Sequence, residues 1–175
     1  MNKTITILRH GEAEPLSDSD ANRELTNNGL QECRSTANTL VDFLSVDKHL
    51  DAIFHSPFKR TTQTAFALLQ GLSYSANSIE VPCLPSDLLL ENVPPKLLTN
   101  WLDQQNMNHI VLVSHQPLVS RLVAWLVDGF SADSQDYNEY CFYPASMMVI
   151  ETDFIARGCG SIRLTHHLKG SIKSL

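Results

Sequence analysis

Ile5-Thr6-Ile7-Leu8-Arg9-His10-Gly11-Glu12 runs from apolar and β-branched side chains straight into a cation, an imidazole and a glycine. The apolar run reads as a buried or mostly buried strand. Gly11 gives the backbone freedom for a sharp turn or a close approach where that strand stops. In open α/β sheets ligands sit beyond the carboxyl ends of strands, so Arg9 and His10 fall where chemistry is expected. An imidazole beside a guanidinium points to a nucleophile next to an anion holder. Taken alone, the stretch fits an ordinary polar pair at a strand end equally well.

The same design returns at His109-Ile110-Val111-Leu112-Val113-Ser114-His115-Gln116-Pro117-Leu118-Val119. An unbroken Ile-Val-Leu-Val run is the mark of a strand covered on both faces, as in a parallel sheet. It ends in Ser114-His115, and an apolar helix over 118–127 follows. One histidine at such a junction is often structural; two at equivalent strand ends favour a shared site. Between them, a short strand over 52–55 breaks at Ser56-Pro57. A helix is predicted from there to about residue 69, with Pro57 in its first turn, where a missing N–H costs nothing. Arg60 then sits near the start of that helix and opposes its dipole, a local conflict of the kind that functional sites show. A solvated arginine accounts for the local pattern as well.

The remaining segments fill in an alternating order. Residues 14–22 are a polar surface loop rich in turn formers. Arg23 follows, either folded back over the strand end or solvated. Thr26 is a plausible N-cap for a helix over 27–44, whose apolar and small residues Leu30, Cys33, Ala37, Leu40, Val41 and Leu44 recur at helical spacing. A proline-flanked edge strand is predicted at 79–84, followed by a loop with the acids Asp87 and Glu91. A helix starting at Pro94-Pro95 would carry Leu97, Leu98, Trp101 and Leu102 on one face. A polar loop at 131–138 and two strands at 146–151 and 160–166 complete the chain. His166-His167 lacks partners at ligand spacing and reads as a polar strand end, not half of a metal site. The reading is one α/β domain over 1–175.

Composition narrows the function classes. With 43% hydrophobic and 18% charged residues, the 175-residue chain can build a sizeable core. A net charge of −6 argues against a nucleic-acid surface, although an anionic substrate would still need a local basic site. The start of the chain lacks the apolar run of a signal peptide, and no stretch approaches a membrane span, so a cytoplasmic protein is expected. The four cysteines form no Cys-x-x-Cys pair, and reduced, mostly buried thiols are expected.

Leu8-Arg9-His10-Gly11-Glu12, Ser56-Pro57-Phe58-Lys59-Arg60-Thr61-Thr62-Gln63-Thr64 and Val113-Ser114-His115-Gln116-Pro117, in this order, resemble the histidine phosphatase, or phosphoglycerate mutase-like, superfamily. The short length and Arg23-Glu24-Leu25-Thr26-Asn27-Asn28-Gly29 resemble its SixA branch, small bacterial phosphohistidine phosphatases. The resemblance implies a three-layer α/β/α sandwich with a mostly parallel central sheet. It implies His10 as a nucleophile that becomes phosphorylated, with Arg9, Arg60 and His115 holding the phosphoryl group and Arg23 at the pocket rim.

Those residue types suit the chemistry. Phosphoryl transfer asks mainly for in-line positioning and neutralisation of the equatorial oxygens. Arginines supply planar, charge-assisted contacts, a protonated His115 would add a donor, and nearby cations would depress the His10 pKa and keep its imidazole neutral. No metal or other cofactor is called for. Asp87 and Glu91 are the candidates for an acid that protonates a leaving oxygen, and neither sits in a recognisable pattern. A phosphorylated imidazole needs such an acid less than an alkoxide does. The expected activity is therefore a metal-independent phosphohistidine phosphatase acting on a phosphorelay or phosphocarrier protein, as a monomer. A small-molecule phosphomonoesterase and a non-catalytic phosphate-dependent binding module are the alternatives. A mutase is disfavoured for want of a long closing insertion.

Overall fold

The computed structural model describes residues 2–44, 49–73, 81–130 and 140–167. Their elements, in chain order, are β1 (Lys3–Arg9), α1 (Asn27–Leu44), β2 (Ala52–His55), α2 (Lys59–Ser73), β3 (Cys83–Pro85), α3 (Pro95–Asp103), β4 (His109–Ser114), α4 (Leu118–Val127), β5 (Met147–Thr152) and β6 (Ser161–His166). Short 3-10 turns lie at Asp20–Asn22 and Asp87–Leu89. The strands form one sheet in the order β3-β2-β4-β1-β5-β6. The pairs β3–β2, β2–β4 and β4–β1 are parallel, while β5 runs antiparallel to both β1 and β6.

Period-2 alternation decides which helix covers which face. Ile5 and Ile7 of β1, Phe54 of β2, Ile110 and Leu112 of β4, and Met148 and Ile150 of β5 pack with Leu98 and Leu102 of α3 and with α4. Their neighbours Leu8, Ile53, Val111, Val113, Met147 and Val149 pack with Ala37 and Leu40 of α1 and Leu68 of α2. The result is a three-layer α/β/α sandwich on a mostly parallel sheet, as expected. β1 and β4 lie side by side, yet the helices that follow them take opposite faces. That divergence makes their carboxyl ends the usual ligand position in such sheets.

α1, β2, β4 and α4 occupy the predicted spans. Thr26 caps α1, its Oγ1 accepting the Gly29 N–H at 2.9 Å. Other expectations need correction. α2 begins at Lys59, so Pro57 precedes the helix instead of opening it, and Phe58 O accepts the Thr61 and Thr62 amides. α2 also continues to Ser73. On α3, Leu98 and Leu102 are buried and Trp101 meets Phe54 edge-on at 4.9 Å, but Leu97 is 53% exposed. The buried stripe of that helix is narrow and centred on positions four apart, which turns residue 97 outward. β3 is an edge strand limited to Cys83–Pro85; residues 79–80 of the predicted strand, and the predicted loop at 131–138, lie outside the described residues. Of the four cysteines only Cys33 is buried, with Cys141 and Cys159 exposed.

Candidate active site

Three adjacent strands deliver the site. The His10 amide donates to Ser114 O at 3.1 Å and the Ser56 amide to Val113 O at 3.1 Å, which aligns the ends of β1, β4 and β2. The turn after β1 is pressed against the start of α1. A Cβ on Gly11 would lie 2.8 Å from Gly29 O, and one on Gly29 only 2.1 Å from Glu12 O, so both positions exclude a side chain. Glu12 closes the same contact, its carboxylate accepting from Thr26 Oγ1 at 2.7 Å and Asn28 Nδ2 at 3.2 Å. From α2, Thr64 Oγ1 accepts the Gly11 amide at 3.1 Å. The backbone that carries His10 is thus held from two helices.

The partners of His10 fix its tautomer. Nδ1 lies 2.8 Å from Gly11 O, and a carbonyl can only accept, so Nδ1 carries the proton. Nε2 then presents a lone pair, which accepts Arg60 Nε–H at 3.3 Å. Burial, with the charges of Arg60, Arg9 and Arg23 adding to it, lowers the His10 pKa to about 4 against an opposing contribution from the Gly11 bond. Desolvation, more than the arginines expected to do so, is the cause of this depression.

Arg60 is the second residue of α2 and is only 3% exposed. Besides His10 it bonds Asp20 twice, Nη1 to the backbone oxygen at 2.6 Å and Nη2 to Oδ2 at 3.0 Å. Its guanidinium lies 4.9 Å from the Phe58 ring centroid, a cation–π distance. Arg9, at the end of β1, donates through Nη1 to Phe142 O at 2.7 Å. Burial, then the like charge of Arg60, lowers its pKa, so the two guanidiniums share one region.

His115 brings its ring to 5.2 Å from that of His10 and packs edge-on against Phe58 at 5.1 Å. Its Nε2 is 2.6 Å from Ser56 Oγ, which is 2.7 Å from Thr61 Oγ1. Thr61 has two carbonyl oxygens, Ser56 O and Phe58 O, within 2.8 Å to take its own proton. Ser56 therefore donates to Thr61 and accepts His115 Nε2–H. Burial, then the neighbouring His10 and Arg60, pushes the His115 pKa down to about 3. A pKa so low makes the ring neutral here and not a protonated donor.

Arg23 belongs to the strap over 13–25, whose ends meet in a bridge between Ala13 and Leu25. Its Nε donates to Glu14 O at 2.7 Å and its Nη1 pairs with Asp20 Oδ1 at 3.0 Å. The strap folds back over the strand end, and one carboxylate joins Arg23 to Arg60. All five predicted residues are therefore brought into one region, with Arg23 at its edge. Asp20, Ser56, Thr61 and the carbonyl of Phe142 were not anticipated, whereas the acceptor that the second ring nitrogen of His10 requires is a backbone carbonyl, supplied by Gly11. An Asp three residues before Arg23 was the one visible signal, since that spacing permits a local ion pair. Of the candidate acids Asp87 and Glu91, Asp87 is exposed and opens the turn at Asp87–Leu89.

The sequence model of the histidine phosphatase superfamily (branch 1) matches residues 5–81. Phosphohistidine phosphatase SixA of Escherichia coli (strain K12) is 32% identical over 127 residues, 71% of this chain and 74% of that protein. The chain belongs to the histidine phosphatase superfamily. Among solved structures, that of the protein histidine phosphatase SixA complexed with tungstate superposes with a TM-score of 0.74 at 25% identity, covering 93% of this chain and 95% of that one. Phosphoglycerate mutase from Plasmodium falciparum shares the fold, with a TM-score of 0.69, 14% identity and 99% of each chain covered. As a histidine phosphatase, the chain has its strand-end histidines, the half-buried Arg9 and the buried Arg60 in the segments that carry the resemblance. Among the described residues, no helix is long and apolar enough to cross a membrane.

Proposed function

We propose that this chain is a protein-phosphohistidine phosphatase, hydrolysing the phosphoryl group of a phosphorylated histidine on a phosphorelay or phosphocarrier protein by way of a phosphorylated His10. The state of His10 carries this reading: a neutral ring, Nδ1–H committed to the Gly11 carbonyl, and the Nε2 lone pair on the side of Arg60. Nε2 attacks phosphorus as the P–N bond to the substrate imidazole breaks. The electron pair goes to the departing nitrogen, and the other nitrogen of that ring keeps its proton, so a neutral imidazole leaves. The phosphorylated His10 keeps its Nδ1 proton on Gly11 O. Water oxygen then joins phosphorus, the P–Nε2 bond breaks with its pair returning to Nε2, and the water protons pass to phosphate and solvent.

Arg9 and Arg60 neutralise the equatorial oxygens during both steps, Arg23 serves the rim, and no step calls on a metal. Arrival of a phosphoryl dianion favours protonation of His115, which then adds a donor. The tungstate complex of the similar SixA structure supports an oxyanion-binding pocket, because tungstate is a tetrahedral dianion. The relative's name supports phosphohistidine as the substrate.

The monoesterase reading needs an acid. The turn that Asp87 opens is tied to the strand ends, with the Ser86 amide on His55 O at 2.8 Å and Ser114 Oγ on Leu89 O at 2.7 Å. Asp87 is therefore the first residue to test for that role, and Glu91 the second. Phosphate release should be compared for a phosphohistidine-bearing protein and a panel of phosphate monoesters, with wild type and His10→Ala. Preference for the phosphoprotein, lost in His10→Ala, is expected. Faster turnover of monoesters would replace this reading with the monoesterase. Full activity of His10→Ala would remove the covalent step.

A further inference from the structure

Arg60 and Arg23 hold an anion already, and it belongs to the chain. Asp20 Oδ2 is 3.0 Å from Arg60 Nη2 and Asp20 Oδ1 is 3.0 Å from Arg23 Nη1. One carboxylate thus bridges two guanidiniums, each oxygen on its own cation, as two oxygens of a tetrahedral oxyanion would. The Arg60 head group touched by Asp20 is the same one whose Nε meets His10 Nε2 at 3.3 Å. A phosphoryl group using the terminal nitrogens of Arg60 competes directly with this carboxylate.

The two partners differ in how firmly they are fixed. The Arg60 side chain is 4% exposed, whereas that of Asp20 is 57% exposed and stands on a three-residue 3-10 turn. Swinging the carboxylate into water costs little desolvation, while Arg60 stays buried. The backbone oxygen of Asp20 separately accepts Arg60 Nη1 at 2.6 Å, so the arginine keeps one anchor when the carboxylate leaves.

We propose that Asp20 is a displaceable internal anion that competes with the phosphoryl group for Arg60 and Arg23. Its return to the arginines weakens their hold on inorganic phosphate and assists product release. The proposal rests on reading Arg60 as a phosphoryl-binding residue, and it makes Asp20 a determinant of affinity, not a group that reacts.

The test is calorimetric titration of inorganic phosphate into the full chain at constant ionic strength, for wild type, Asp20→Asn, Asp20→Ala and Asp18→Asn. Asp18 is a control for general charge: it lies in the same strap but bonds Ser17 and Asn22 instead of the arginines. Both Asp20 variants should bind phosphate about tenfold more tightly, because a charge-assisted competitor is gone. Asp18→Asn should stay within about twofold, as expected for a screened surface charge. Unchanged or weaker binding in the folded Asp20 variants, with wild type binding normally, would overturn this proposal alone. Equal tightening in Asp18→Asn would overturn it too, by making the effect one of net charge. Phosphate binding by none of the four proteins would overturn the phosphoryl-pocket reading as well. Circular dichroism melts verify the fold of each variant.

Discussion

Lowering the pH from 8 to 5 should destabilise the fold through His10, and His10→Asn should remove that part of the loss. The ordinary histidine value of 6.5 falls to about 4 in the folded chain, chiefly through burial. Between those values the unfolded chain binds a proton on His10 that the folded chain refuses, so stability rises with pH across that window. The contribution is intact above about pH 6.5, declines as the pH falls, and is fully lost only below about pH 4. The gap is worth at most about 3 kcal/mol, of which about 2 kcal/mol is expressed at pH 5. Asn does not titrate, and its side-chain amide can donate to Gly11 O as Nδ1–H does. The assay is urea denaturation followed by circular dichroism at both pH values. Wild type should lose about 2 kcal/mol more than His10→Asn. Equal losses in the two proteins, or a His10 ring titrating near its ordinary value by NMR, would refute the argument that burial holds this imidazole neutral.

Further outcomes follow from individual contacts. Gly29→Ala places a methyl group 2.1 Å from Glu12 O, a backbone atom, so it should cost about 3 kcal/mol or more in denaturant unfolding; a loss below about 1 kcal/mol would contradict the close approach. Arg60→Lys keeps the charge but loses the fork that spans His10 and Asp20, and kcat/KM of the folded variant should fall about 100-fold or more. Ser56→Ala removes the acceptor of His115 Nε2–H; roughly 1–3 kcal/mol of stability should be lost, and the histidine resonances of His115 should shift with it. Asp87→Asn and Glu91→Gln should each change turnover of a phosphohistidine protein by less than about threefold, since a neutral imidazole leaves without a donated proton, and a 100-fold loss would favour the monoesterase.

Local pattern carried much of this protein. The apolar runs ending at Arg9 and Ser114, and the helical spacing from Leu30 to Leu44, define elements whose bounds recur in the structure because backbone geometry needs only neighbours three to five residues away. The same runs located His10 and His115 at strand ends, and the start of α2 placed Arg60 beside them. The strand order, and the face that each helix covers, were fixed only when distant segments packed, although the period-2 alternation needed for both faces was present in the sequence. Leu97 and the exposed cysteines show the limit: a hydrophobic side chain has no local mark of whether a partner surface will reach it.

The chemistry of the site depended on tertiary structure more heavily still. Sequence supplied the candidate reacting groups, but the protonation state of His10 follows from burial, and its tautomer from the direction of a carbonyl. The Phe142 carbonyl that meets Arg9 lies 133 residues away in the chain, and Ser56 lies 59 residues from His115. Asp20 is 40 residues from Arg60, so the bridge it makes between two guanidiniums exists only after the strap folds over the end of β1. Periodicity is written along the chain, where sequence can be read; desolvation and hydrogen-bond direction arise only when separated segments exclude water together.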